Sequence, residues 1–517
     1  MPGSPRAGAV LLKPASVVID RPDPQRPVAA AKSGAPGWPY SYRLGLLVVL
    51  AVQAALALRL VWSNTAFQDE AEYLWYGHLE WAHWLHGTPL PTYYLSGAAQ
   101  VYPPLGALAD SVGGLAAARL LSLAFMLGAT ALLYGTASRI FGKLAGLIAA
   151  ALFAVVGPTA DMSAWATYDP MAILLLALSA WLAVRAARRG AEAWIVLAAA
   201  VMLLADATKW VTALWSPVIV ALVVLTAPTS WGLAVARGAR LVSYAVAAGA
   251  PVLFIAGGAL SLDQIRGSTT DRGIGDNPPL FVLWTAAPMV AVVVLLATLG
   301  VVLSWRRRQG RRALICAVLV VAVLLAPLSQ AYDQTTVSLY KHVVFGLWFG
   351  AIAAGYVLSQ AVGVNAAKGW RVGLAAAIFT GLVGFDQASG WYGFWPNSSG
   401  LMAAVERVLP ARGLMLMQNG DEVVAYYYLL HQGIQPHIIS SYGYPPDVVT
   451  AMIESHAVWM VETDTGTGIP PDSIQKSIAG TPGGLEHAGY RRVERIRWRD
   501  RDGAAGWFTI WLLERGQ

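Results

Sequence analysis

The chain is poor in charge and has almost no cysteine. Of its 517 residues, 13% are charged and 56% are hydrophobic, a balance that excludes an ordinary soluble domain and points to a polytopic membrane protein. Cys316 is the single cysteine and sits inside an apolar run, which excludes an intramolecular disulfide and a multi-cysteine metal cluster. Residues 1–43 lack apolar periodicity and are rich in Pro, Ala and Gly. They cannot bury enough surface to fold alone and are expected to form a disordered cytoplasmic tail. No short apolar region precedes a small-residue cleavage site there, so the first apolar run is expected to remain as a span. The formal charge of +7 falls in short clusters between apolar runs, where membrane topology explains it and nucleic acid is not an expected partner. No internal repeat marks an inverted-repeat transporter.

What the chain has in abundance is apolar sequence, in roughly eleven stretches able to cross a hydrocarbon layer of about 30 Å. They cover residues 44–62, 114–136, 144–160, 169–187, 191–206, 210–227, 241–262, 280–304, 313–329, 343–361 and 372–388. Positive residues are retained in the cytoplasm during insertion. Arg43, Arg139 with Lys143, Arg188 with Arg189, Arg237 with Arg240, Arg306 to Arg308 with Arg311 and Arg312, and Lys368 with Arg371 all fall on one side. The alternate loops carry Asp69, Glu70, Glu72, Glu80, Asp110, Asp161, Asp169, Asp206, Asp263 and Asp333. The expected organisation is a transmembrane domain over 44–388, with a first outer loop at 63–113, and an extracytoplasmic α/β domain over 389–517. In that last domain, Gly413 to Met417, His437 to Ser440 and Ala457 to Val461 read as extended, and Asp421 to Leu430 and Val448 to Ser455 as helical. The basic Arg491 to Arg501 strand reads as a solvated face or one turned to lipid headgroups or an acidic polymer.

The first outer loop is about fifty residues long, and a connection of that length is usually functional. A helix opening at Gln68 would put Leu74, His78, Trp81 and Leu85 on one face and Asp69, Tyr73, Tyr76 and Glu80 on the other. Such a helix lies in the membrane interface and holds carboxylates at headgroup depth. Asp69 and Glu70 fit two readings, helix capping and catalysis, and Asp169, followed by Pro170, fits the same two. Five basic positions depart from the cytoplasmic bias: Arg59, Arg119, Lys209, and Lys341 with His342. An ionised group at membrane depth is disfavoured by about 2.5 to 3.5 kcal/mol on insertion scales, so several at one depth need counter-charges. Lys209 with Asp206 at i, i+3 is an obvious local pair; together the five describe an anion site at the outer leaflet. His78, His83 and His86 lie near Glu80 but lack metal-ligand spacing, and His431, His437 and His456 receive no role. No metal or other cofactor is expected.

These residues resemble the GT-C membrane glycosyltransferases, in the branch of the protein O-mannosyltransferases and the aminoarabinose transferase acting on lipid A. The resemblance rests on Arg59, Asp69-Glu70 with Tyr73, Tyr102-Pro103-Pro104-Leu105, Ala118-Arg119-Leu120-Leu121, Asp169, Thr208-Lys209 and Lys341-His342. Tyr102 stands where family members commonly carry lysine. The resemblance implies a sugar transferase using a polyprenyl-phosphate-linked donor in the bacterial cytoplasmic membrane, with membrane lipids around it. A protein, a polysaccharide or a glycolipid of the cell envelope would be the acceptor. It implies Asp69 as general base, Glu70 and Asp169 orienting acceptor or sugar, and Arg59, Arg119, Lys209, Lys341 and His342 on the donor phosphate. The alternatives are a flippase for lipid-linked sugar, which would need its charged path open to both faces, and a noncatalytic surface receptor.

Overall fold

The computed structural model describes residues 39–90, 101–255, 266–267, 273–393, 395–408, 414–417, 421–430, 438–440, 457–464, 486, 489–499 and 505–513. Helices come first: α1 (Pro39–Val61), α2 (Gln68–His86), α3 (Tyr102–Phe141), α4 (Lys143–Val155), the short α5 (Gly157–Met162), α6 (Tyr168–Arg189) and α7 (Glu192–Thr208). A 3-10 turn (Trp210–Trp215) leads into α8 (Ser216–Thr226) and α9 (Trp231–Ile255). Then follow α10 (Pro279–Arg306), α11 (Gly310–Tyr332), α12 (Leu339–Val364) and α13 (Ala366–Trp391). Each of the eleven apolar runs falls on this series, with 256–262 outside the described residues. Seven helices among the described residues are long and apolar enough to cross a membrane, and Lys143–Val155 and Trp210–Thr226 are shorter apolar segments. The chain is a multi-pass membrane protein.

Burial orders the bundle. Within its most apolar window α12 is 89% buried and α6 78%, against 22% for α1, so α12 and α6 form the core and α1 faces the lipid. The core helices read as apolar all round, the pattern expected of helices with no solvated side. Small residues let their backbones approach: a Cβ on Gly355 of α12 would stand 2.3 Å from the Ala145 carbonyl oxygen of α4.

The boundary expected between the outer loop and the second span falls on a break in α3. Gly113 and Gly114 leave the helical region, and Gly114 has φ of 64°, a left-handed conformation that costs glycine little. The segment before the break packs on α2, and the rest enters the bundle against α4 and α6.

After the bundle come α14 (Ser399–Val408), β1 (Leu414–Met417), α15 (Asp421–Leu430), β2 (Ile438–Ser440), β3 (Ala457–Asp464), β4 (Tyr490–Arg499) and β5 (Ala505–Leu513). The strands form one sheet in the order β2-β1-β3-β5-β4, parallel on the β2-β1-β3 side and antiparallel at β3-β5-β4. This is the small α/β unit read from the sequence; Val448 to Ser455 lies outside the described residues. Its core joins Leu401, Met402 and Val405 of α14 to Ala425 and Leu429 of α15, Trp498, Phe508 and Ile510.

The amphipathic reading of α2 needs correction. Tyr73, Tyr76 and Glu80, placed on the face opposite Leu74, are buried together with Leu74, Trp75 and Gly77. Packing on two sides is the cause, since α2 lies between α3 and α15. Gly77 is the closest point: a Cβ there would stand 2.0 Å from the Pro103 carbonyl oxygen. Gly77→Ala should therefore force α2 off α3 and destabilise the protein by about 1–3 kcal/mol. Thermal melting of the purified variant in detergent checks this, and a wild-type melting temperature would refute the close approach.

Candidate active site

The first acidic pair of the outer loop divides into two unlike carboxylates. Glu70 is fully buried and bonded bidentately to Arg119, Nε to Oε1 at 2.8 Å and Nη2 to Oε2 at 2.7 Å. Its oxygens also accept the backbone N–H groups of Phe67 at 2.9 Å and Ala166 at 2.9 Å. The capping role is therefore real for Glu70, through Phe67, but is one bond of four. Arg119 spends its other donors on the carbonyls of Val61 (2.8 Å), Asn64 (2.9 Å) and Thr65 (3.1 Å). A guanidinium has five N–H donors, and each has a protein acceptor here.

Asp69, the next residue back on α2, turns the other way and forms an ion pair with Lys341 in the first turn of α12. Its side chain is 26% exposed, whereas those of Glu70 and Asp169 are 0% and 1%. Asp169 opens α6, takes the ammonium of Lys209, and accepts the Thr167 hydroxyl at 3.2 Å. It stands in the first turn of the helix, whose N-cap is Thr167. Tyr73 and Tyr168 lie between the two ion pairs with ring centroids 4.5 Å apart. Each lysine rests on aromatic faces: Lys341 Nζ is 4.9 Å from the Trp165 ring centre and 5.6 Å from that of Phe67, and Lys209 Nζ is 4.8 Å from that of Tyr168. Quadrupoles of this kind hold an ammonium where water is scarce.

The structure thus brings Asp69, Asp169, Lys209 and Lys341 into one cluster and places the other expected residues around it. The donors of Arg119 are bonded to Glu70 and the 61–65 turn. Arg59 reaches from α1 to α13, donating to Ser389 Oγ at 2.6 Å and the Phe385 carbonyl at 3.0 Å over the Phe385 ring. The local Lys209–Asp206 pair does not form. Asp206 instead accepts Thr212 at 2.5 Å and Ser216 at 3.4 Å, while Lys209 sits at the extended end of α7 and points to α6. His342 is half-buried and, one helical position from Lys341, faces another direction.

Two features went unassigned in the sequence. Asp110 accepts Tyr427 of α15 at 2.7 Å and pairs with His78 at 2.7 Å, which ties the sheet unit to α2 and α3. Trp165 sits at the centre of an aromatic group with Phe67, Tyr340, Tyr392 and Trp395. Among the described residues, no three His, Cys, Asp or Glu side chains lie close enough together to hold a metal ion; His83 meets the Thr88 carbonyl at 2.8 Å.

The fold is similar to that of several solved membrane glycosyltransferases. The sequence profile of the dolichyl-phosphate-mannose-protein mannosyltransferases matches residues 107–254, a stretch that carries Arg119, Asp169 and Lys209 but neither Asp69 nor Lys341. ArnT from Cupriavidus metallidurans bound to undecaprenyl phosphate superimposes with a TM-score of 0.53 and 13% identity, over 92% of this chain and 98% of that one. The Archaeoglobus fulgidus oligosaccharyltransferase AglB, in complex with an inhibitory peptide and a dolichol-phosphate, gives 0.57 and 11% over 90% and 74%. The mycobacterial arabinofuranosyltransferase AftD gives 0.54 and 14% over 93% and 40%. No curated protein matches the chain in sequence.

Two outcomes follow for the frame of the site. Arg119→Ala leaves Glu70 buried without its counter-charge and should cost about 3–5 kcal/mol; Arg119→Lys should also melt early, because an ammonium cannot make five bonds. A melting temperature equal to wild type in both would refute the clamp. Separately, burial pushes the Glu80 carboxyl up to about 7. The folded chain then holds that proton more tightly than the unfolded chain, so stability falls as pH rises from the ordinary carboxylate range to about 7. Glu80→Gln should melt above wild type at about pH 8, with the difference closing toward about pH 5. A pH-independent difference between the two melting curves would contradict this.

Proposed function

We propose that the protein is an inverting glycosyltransferase that moves a sugar from a polyprenyl phosphate to an acceptor hydroxyl at the outer face of the bacterial cytoplasmic membrane. The observation that carries this reading is the pairing of Asp69 with Lys341 and of Asp169 with Lys209 in one aromatic-walled cluster, with Asp69 alone of the buried acids partly open. Profile and structural similarity to enzymes of lipid-linked sugar transfer support it.

In this reading the acceptor oxygen attacks the anomeric carbon and its proton passes to Asp69. The bond from that carbon to the phosphate oxygen breaks on the opposite side, and the electron pair leaves with the polyprenyl phosphate. A phosphate leaves without a protonating acid, so one base suffices. Lys341 and Lys209, in a site of low dielectric, stabilise the charge that grows on the phosphate. Glu70 is held by Arg119 and acts as a positioning residue, fixing the start of α2 and with it Asp69. Asp169 holds Lys209 in place and orients sugar hydroxyls. The +7 balance and the arginine clusters between spans agree with an inside N-terminus and an outside sheet unit.

Asp69→Asn keeps the shape and removes the base. Purified in nanodiscs and given radiolabelled polyprenyl-phosphate sugars with cell-envelope fractions, it should lose transfer by at least about 100-fold while still binding undecaprenyl phosphate. Transfer at the wild-type rate would end the assignment. Lys341→Met should lose rate by about 100-fold as well.

A further inference from the structure

Asp161 takes no part in the reaction as described, yet it is the one acid of the site without a bonded partner. It lies in α5, where the α4 helix breaks at the extended Val156 and restarts through Gly157 and Pro158. It is completely buried. Among the described residues neither carboxylate oxygen has a hydrogen-bond partner, and the indole N–H of Trp165 beside it has none either. The charged groups facing it are Lys341 of α12, whose field on it is the strongest, then Glu70 of α2 and Arg59 of α1. Tyr340 and Tyr392 face it as well.

A buried carboxylate with two open acceptor positions is costly to keep. The other acids explain themselves: Glu70 is neutralised by Arg119, Asp169 by Lys209 and Asp69 by Lys341. Asp161, by contrast, is bonded to none of the nearby cations, Arg59, Arg119, Lys209 and Lys341. The Lys341 pairing has a consequence for the base. An ammonium seated on Asp69 occupies the carboxylate that must accept the acceptor's proton. Lys341 lies on the face of Trp165, which packs edge-on against Tyr340, and Asp161 lies beside the same indole. The ammonium therefore has an aromatic surface on which to move, with the oxygens of a carboxyl group at either end.

We propose that Asp161 is a positioning residue for the transfer reaction: a second seat for the Lys341 ammonium, which draws Lys341 away from Asp69 when the acceptor hydroxyl arrives and so frees the base. The inference rests on the reading of Asp69 as base and adds the step that makes a salt-bridged base usable. It also explains why a buried acid is retained: its cost in stability is offset by its use in turnover.

The test is Asp161→Asn, purified in nanodiscs and assayed with radiolabelled polyprenyl-phosphate sugar under single-turnover conditions, which keep slow variants measurable. The variant should lose about tenfold in kcat with the KM for donor within about twofold, and its melting temperature should equal or exceed that of wild type, since a buried carboxyl with two unmet acceptor positions has gone. In a Lys341→Met background the same substitution should change the residual rate by less than about twofold, because Asp161 acts through that ammonium. A wild-type kcat, a fall in melting temperature that parallels the loss of activity, or an undiminished tenfold loss in Lys341→Met would each overturn the proposal. Failure of the base reading looks different: Asp69→Asn would retain transfer whatever residue stands at 161.

Discussion

The arrangement around α2 depends on one buried ion pair with no guanidinium donor left over. Taking a guanidinium and a carboxylate out of water is expensive, and their attraction repays the cost only when the remaining donors and lone pairs are bonded. Arg119 and Glu70 meet that condition, with the three carbonyls of the 61–65 turn on one side and the N–H groups of Phe67 and Ala166 on the other. The pair therefore joins the end of α1, the start of α2, the break before α6 and the body of α3 at a single point. Asp69 precedes Glu70 by one residue and Asp169 follows Ala166 by three, so the clamp sets the separation of the two acids that carry lysines.

The surroundings decide what those lysines can do. Lys341 and Lys209 are both buried, and each has one carboxylate and one or more ring faces as its environment. In such a setting a Coulomb interaction is felt much more strongly than in water, which suits the stabilisation of a phosphate that gains charge as it leaves. The same setting penalises any ammonium that loses its counter-charge. A cation of this kind moves between anions; it does not stand free, and this is the physical reason to look for a second carboxylate near Lys341.

Much of the fold was legible in the sequence because hydrophobic periodicity is a local signal. The apolar runs mark the helices, and the loop boundary read at 113 and 114 falls on the break in α3. The extended and helical segments at Leu414–Met417, Asp421–Leu430, Ile438–Ser440 and Ala457–Asp464 were readable for the same reason. Partner choice was less legible. Asp69 and Lys341 are 272 positions apart, and only the shared feature of charge at membrane depth suggested that they meet. Where a local rule and a distant partner competed, the distant partner won: Lys209 has Asp206 three residues away but ends an extended turn that aims it at Asp169. The bonds of Arg119 to the backbone carbonyls of Val61, Asn64 and Thr65 leave no trace in spacing. Asp161 carried a signal, an acid just beyond an apolar run, yet a loop charge is so ordinary that nothing separated it from its neighbours.

The carboxyl-terminal sheet shows how the reading of a separate domain is best refined. Its helix α15 does not hang free of the bundle. Tyr426 stacks on Trp75 at 4.8 Å, Tyr427 bonds Asp110, and Tyr428 accepts the N–H of Ala66 at 2.9 Å. Three consecutive aromatic residues thus hold three points around α2, one on the helix, one on the α3 segment behind it and one just before its start. Consecutive helical positions diverge in direction, so such a set can only be satisfied by an element embedded among its partners. The sheet unit then functions as the outer wall of the helix that carries Asp69, and any motion of that wall would be felt at the Asp69–Lys341 pair before it was felt anywhere deeper in the bundle.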